Sequence, residues 1–287
     1  REVTIGLNQI DIEDINLLQE ELNLPATGVE SAYLVASRFK DNWIRSLLDM
    51  GGEEMRSFCE EMGGHAGALS ALQRRLRRLE GLGFMRDRVD EGAVDEMIAC
   101  IEKGQHIVLE FGQYRDPLAY MLVANVLTRR LHRLYVDKTE RYLQTGKAED
   151  KPRQLVITIE EAHKFLNPSA ARQTIFGTIA REMRKYAVTL LVIDQRPSSI
   201  DSEVLSQIGT RVTASLNDDR DIEAVFTGVS GAGNLKSVLA TLEPKQQALI
   251  LGYAVPMPVV VRTRAYDEAF YKAMGTVDAA EARRRAA

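Results

Sequence analysis

The chain has 287 residues, of which 45% are hydrophobic and 27% charged, with a formal net charge of −4. That make-up gives a globular protein with enough apolar residues for one large domain or two ordinary ones. It excludes a surface that attracts nucleic acid by overall charge, so such a contact needs a local basic patch or a pore. No apolar run approaches the roughly 20 residues of a membrane span. Cys59 and Cys100 form no disulfide framework and have no metal-ligand spacing, which favours a reduced, cytoplasmic setting. The chain opens on Arg1 with no visible signal peptide, as a fragment or processed chain would.

Val3–Leu7 alternates like an edge strand. Asp11 then opens a helix with Ile12, Ile15, Leu18 and Leu22 on one face, which ends near Pro25. Residues 30–104 read as helices only: Leu34, Phe39, Trp43, Ile44, Leu47 and Leu48 recur at helical spacing, and paired glycines punctuate at 51–52 and 63–64. Within this block Leu69–Leu79 is amphipathic, and its Arg74, Arg75, Arg77 and Arg78 suit either a solvated face or phosphate contacts. His106–Gly112 reads as a short buried strand. Asp116-Pro117 then reads as an N-cap with proline in the first turn, opening a long helix through Leu118, Met121, Leu122, Val126, Leu131 and Leu134, with Arg129, Arg130 and Arg133 also on it.

A polar loop leads to Leu155–Ile159, a short apolar run rich in β-branched residues that predicts a strand buried on both faces. It runs into Glu160-Glu161 and then a turn at His163–Pro168. A helix follows with Ile175, Ile179 and Met183, ending in Arg181–Tyr186. Val188–Ile193 predicts another buried strand, ending in Asp194-Gln195. After it come a short helix over Ile200–Gln207, a strand over Arg211–Leu216, a helix over Asp219–Phe226, a hairpin from Gln247–Gly252 and Pro258–Arg262, and a charged helical tail from Asp267. Strands alternating with helices predict an α/β fold with a largely parallel sheet.

Two acids at the carboxyl edge of a strand have a chemical use. Glu160 can hold Mg²⁺ or a water bound to it, and Glu161 can polarise a water for attack on a γ-phosphate. Gln195, at the next strand's end, can hydrogen-bond that water or a phosphate oxygen. The plainer alternative is a strand capped by two solvated acids. His163 reads as a hydrogen-bonding residue, because Glu-Glu-Ala-His does not have the spacing of a zinc helix.

In order and spacing, Leu155–Glu161 with Ala162-His163-Lys164, Arg181–Tyr186, Asp194–Ser198, Ile200–Gln207 and Thr210-Arg211 resemble the HerA/FtsK group of P-loop DNA-pumping ATPases, the HerA-like proteins most closely. The match continues more loosely to about Arg264. The resemblance implies a RecA-like, mostly parallel sheet flanked by helices, beginning in residues 1–29 and continuing over 105–265. Residues 30–104 would be an all-helical insertion and 266–287 a tail. It implies a homo-hexameric ring with ATP between subunits and double-stranded DNA in a central pore, without a membrane, working beside a nuclease or other effector in DNA end processing or phage defence. In that scheme Glu160 is the Walker B acid near Mg²⁺ and Glu161 the catalytic acid. Gln195 is the sensor that, with both acids, faces the nucleotide. Arg184 reaches the neighbour's γ-phosphate, with Arg181 and Lys185 as lesser candidates for that role. An arginine at a helix end also suits the helix dipole.

The sequence departs from the family in one respect: it has no Gly-x-x-x-x-Gly-Lys-Ser/Thr. Gly228–Ser237 places its lysine two positions too late and follows a helical pattern, where a phosphate loop must follow a strand. The simplest account is the C-terminal part of a longer ATPase, inactive by itself. The alternative is a non-hydrolysing, ring-forming scaffold for a partner effector.

Overall fold

The computed structural model describes residues 3–90, 92–112, 114, 116–229 and 233–275, which group into two compact units, 1–195 and 196–287. The first unit opens with strand β1 (Ile5–Gly6) and helix α1 (Ile12–Leu17). Five helices follow: α2 (Ala26–Phe39), α3 (Trp43–Asp49), α4 (Gly52–Met62), α5 (Ala66–Glu80) and, after strand β2 (Met85–Arg86), α6 (Ala93–Glu102). Strands β1 and β2 pair in parallel. The unit is completed by α7 (Pro117–Thr145), β3 (Leu155–Glu160), α8 (His163–Leu166), α9 (Phe176–Glu182) and β4 (Val188–Ile193).

The helices follow from leucine spacing and end groups. In α5, Leu69, Leu72, Leu76 and Leu79 fall on one face and are fully buried, while Arg74, Arg75, Arg77 and Arg78 point to solvent. Each such leucine contributes about 1.5–3 kcal/mol relative to an exposed one. The Gln73 side-chain amide donates to the carbonyls of Leu47, Leu48 and Met50 at 2.8–3.2 Å, satisfying the acceptors at the end of α3. Helix α7 begins as its sequence requires. Asp116 accepts the Leu118 N–H at 3.0 Å, Pro117 needs no donor there, and Gly146 closes the far end with φ +64°.

One face of α7 enters the main core through Leu118, Met121, Leu122 and Val126, and it carries a charge inward as well. The Arg129 guanidinium donates to both oxygens of Asp14 (2.7–3.1 Å), to Asp11 (2.6 Å) and to the Gln9 carbonyl (3.0 Å). Asp14 is 0% exposed and also accepts the Asp11 N–H at 2.9 Å. Burial pushes the Asp14 carboxyl above its usual range, and the bonds from Arg129 work against that shift.

The second unit contains α10 (Ser202–Gln207), β5 (Thr210–Thr213), α11 (Asp219–Val225), α12 (Gly233–Ala240), β6 (Gln247–Gly252), β7 (Val259–Arg262) and α13 (Glu268–Ala273). Strands β5, β6 and β7 form an antiparallel sheet in that order, and the expected hairpin is β6–β7. Its core gathers Ile222, Val225, Phe226, Leu239, Leu249 and Leu251. Arg211 on β5 donates to the carbonyls of Leu205, Val225 and Thr227, which places its charge at the carbonyl ends of α10 and α11. In the Gly-rich stretch, residues 230–232 lie outside the described residues, as does the tail from 276 onward. No described helix is long and apolar enough to cross a membrane.

The structure corrects three expectations within the α/β arrangement. Residues 30–104 are not helices only, because Met85–Arg86 within them forms β2 and pairs with β1. His106–Gly112 is not a strand, and Val108 is 84% exposed. Its apolar residues have no ladder partner among the described strands, so only Leu109 and Phe111 turn toward the core. The strand pair β3–β4 is covered on one face only. Val156, Leu191 and Ile193 are exposed, while Ile159 and Val188 are buried. A continuous apolar run says that a strand can be buried on both faces; it does not supply the second layer.

Replacing Asp14 with Ala leaves the Arg129 charge buried with a weaker partner. The expected loss is about 3 kcal/mol of stability, measured from chemical-denaturation midpoints. Replacing both residues together, Asp14→Leu with Arg129→Met, is expected to recover most of that loss.

Candidate active site at the ends of β3 and β4

Strands β3 and β4 run parallel in strict register, from Leu155 opposite Val188 to Glu160 opposite Ile193. Both must therefore end at one edge, and that edge carries Glu160-Glu161 and Asp194-Gln195. The pairing continues one step past the strands, where the Ala162 N–H donates to the Ile193 carbonyl at 3.3 Å.

Glu160, the last residue of β3, alternates with Val156 and Thr158 and so shares their open face. Glu161 turns the chain in the left-handed region, with φ +50°. For a residue with a side chain that conformation costs roughly 1–2 kcal/mol, and surrounding bonds must hold it. The exposed Gln195 amide donates to Glu161 Oε1 at 3.4 Å, a long contact of the kind that tightens when a ligand arrives.

His163, two residues further on, is bound twice by one atom. Its backbone N–H donates to Asp194 Oδ2 at 2.7 Å, and its ring Nδ1 lies 2.8 Å from the same oxygen. An ionised carboxylate only accepts, so Nδ1 carries the proton. The same Nδ1 is 3.8 Å from Glu161 Oε2. The Asp194 side chain is 3% exposed.

This turn stands on a firm base. Phe165 of α8 meets Phe176 edge-on at 5.7 Å and lies near Tyr120 and Phe111, and Leu166 is fully buried. The buried Asn125 of α7 donates to the Gln173 carbonyl (2.8 Å) and accepts the Ile175 N–H (3.2 Å), pinning the loop between α8 and α9. Asn167 caps that loop through the N–H groups of Ser169 and Ala170.

Arg181 lies on α9 and Arg184 in the single turn that follows it, both exposed, and Lys185 sits over the Tyr186 ring. The turn feeds the start of β4, whereas Gln195 follows its end. Six strand residues separate the two, about 20 Å. Within one chain the acids and Gln195 are thus brought together, and Arg184 is carried to the opposite edge of the same sheet.

The donor set fits Mg²⁺ of one kind. Among the described residues there is no cluster of three or more ligating side chains to cage an ion. An exposed carboxylate pair at a strand end suits a cation that keeps its waters and takes its other ligands from phosphate. Glu160, Glu161 and Gln195 stand out in the sequence because each sits at or just past the end of an apolar run. That pattern gives Asp194 no role, since the link from Asp194 to His163 depends on the β3–β4 register.

No protein-family profile matches the chain. It is 34% identical over 117 residues to the DNA double-strand break repair helicase HerA of Pyrococcus furiosus, covering 40% of this chain and 21% of that protein. It is 24% identical over 218 residues to HerA of Saccharolobus solfataricus, covering 75% of this chain and 42% of that one. The chain thus spans between a fifth and about two fifths of these relatives' length. Its fold is similar to that of VirB4 of Thermoanaerobacter pseudethanolicus, with a TM-score of 0.56 over 93% of this chain and 73% of that one, at 11% identity. Similarity in sequence to the HerA helicases, together with a fold similar to that of VirB4, supports a place for the chain in the HerA/FtsK-like superfamily of P-loop ATPases.

Proposed function

We propose that the protein containing this chain is an ATP-driven motor that moves double-stranded DNA through the pore of a homo-hexameric ring, as a translocase or helicase. The observation that carries the reading is the split of charged groups between the two edges of one sheet. The acids and Gln195 are at the carboxyl edge and Arg184 is at the other. Phosphoryl transfer needs a water-positioning group on one side of the γ-phosphate and cationic charge on it. A single subunit cannot bring Arg184 to its own acids, but a ring can place it against the next subunit's site. A scaffold needs neither group.

In this reading Glu161 accepts a proton from the attacking water, and Gln195 orients that water or a γ-phosphate oxygen. Glu160 holds the hydrated Mg²⁺ that ATP brings, which neutralises charge developing on the phosphates. Arg184 of the neighbouring subunit stabilises the transferring phosphoryl group, with Arg181 as the second candidate. The sequence holds no phosphate-cradling loop, so this chain alone is expected to turn over no ATP. The relatives' names speak of double-strand break repair, which supports DNA ends as the substrate. The motor would work beside a nuclease or a defence effector.

The first test is ATP hydrolysis by the full-length protein with and without double-stranded DNA. Glu161→Gln is expected to lower kcat by about 10²–10⁴-fold while ATP binding survives, as loss of a general base does. A stable ring with no wild-type turnover would favour the scaffold. The second test mixes two inactive proteins, Glu161→Gln and Arg184→Ala. Mixed rings contain interfaces with both groups intact, so DNA-stimulated turnover is expected to return on mixing. Mixtures as inactive as the parents would place Arg184 outside the neighbour's site.

A further inference from the structure

The turn that carries Glu161 is tied on one side to the end of β4 and on the other into α8, where the Phe165 and Leu166 N–H groups donate to the Ala162 carbonyl and the Asn167 side chain to the His163 carbonyl. The Ala162 N–H goes to the Ile193 carbonyl, the His163 N–H to Asp194, and the Glu161 carbonyl accepts the Lys164 N–H at 3.0 Å. Of these bonds to the end of β4, only the one accepted by Asp194 involves a side chain. Asp194 spends one buried carboxylate oxygen on two donors of the same residue. A carboxylate withdrawn from water is costly unless its bonds are well made, and an apolar residue would fill the space without that cost. What the carboxylate adds is direction. It fixes both the backbone and the ring of His163, and thereby the residue two positions earlier, which sits in the left-handed region.

We propose that His163 and Asp194 are positioning residues for ATP hydrolysis: the Asp194 carboxylate, holding the backbone N–H and Nδ1–H of His163, keeps Glu161 in its left-handed conformation and against Gln195. This rests on the reading of Glu161 as the catalytic acid and adds how that acid is aimed. The clamp joins the ends of β3 and β4, so Glu161 and Gln195 share one frame and approach an attacking water together. His163 acts through Nδ1; its other ring nitrogen takes no part.

The test measures kcat and KM for ATP in the full-length protein. His163→Ala and Asp194→Ala are each expected to lower kcat about 10- to 100-fold, as loss of a supporting hydrogen bond does. KM should stay within about twofold, since substrate binding is untouched. His163→Asn places an amide N–H where Nδ1 stood and is expected to recover most of the rate. His163→Gln reaches the position of Nε2 and is not. Wild-type kcat in His163→Ala, or rescue by Gln in place of Asn, would overturn the proposal. Glu161→Gln in the same assay separates the two readings: if it still turns over ATP, the reading of the site fails, whereas a dead Glu161→Gln beside a fully active His163→Ala sinks only the clamp. A crystal structure of His163→Ala reads the geometry without turnover. Glu161 is expected to leave the left-handed region and its contact with Gln195 to open; an unchanged Glu161 would overturn the proposal whatever the rates.

Discussion

The parallel register of β3 on β4 fixes where every group at the site can be. It is pinned at both ends by bonds just outside the ladder: the Leu155 N–H to the Ala187 carbonyl at 2.9 Å, and the Ala162 N–H to the Ile193 carbonyl. A slip of β3 by one residue against β4 would turn Ile159 out of the core and bring Val156 in. It would also take Asp194 away from His163. Ala187, with φ +62°, makes the sharp exit from the Arg184 turn that lets β4 start in this register. Backbone strain at Ala187 and at Glu161 thus brackets the strand pair, one position at each edge.

Helix α7 is the second support, and it acts at three heights. Tyr120 joins the rings around Phe165, Asn125 holds the loop before α9, and Arg129 draws in Asp11 and Asp14 from the start of the chain. The ion pair adds less to net stability than its bonds suggest, because both charges are desolvated. What it settles is where α1 lies along α7, since five donors in a fixed fork accept few arrangements of carboxylates. Apolar contacts alone would tolerate a slide along the helix.

The helices were legible because their signals are local. Leucines at spacings of three and four gave α5, and Asp116-Pro117 gave a helix start that the hydrogen bonds reproduce. The strand ends that carry the acids and Gln195 were legible for a similar reason, as polar residues just past apolar runs. What failed depends on distant partners. His106–Gly112 has a strand's composition and no strand to pair with among the described residues. Arg129 reads like its neighbours Arg130 and Arg133, and only the carboxylate of Asp14, 115 residues away, distinguishes it. The clamp joins residues 31 apart, and nothing in either strand's pattern reveals it before the register is known.

The two edges of the sheet bear on how such a motor would keep its subunits in step. In the proposed ring, Gln195 senses nucleotide in one site and Arg184 serves the next, and the two flank a single strand, β4. A six-residue strand hydrogen-bonded along its length to β3 does not stretch, so a shift at one end is carried to the other as a rigid displacement. Coupling of this kind needs an element with two discrete arrangements that both sites bias. Under the proposed clamp, the turn at Glu161 is where such an element would sit, with a left-handed residue next to a long contact with Gln195. On this view the clamp ties the aim of the catalytic acid to the position of β4, and through β4 to the arginine facing the neighbouring subunit.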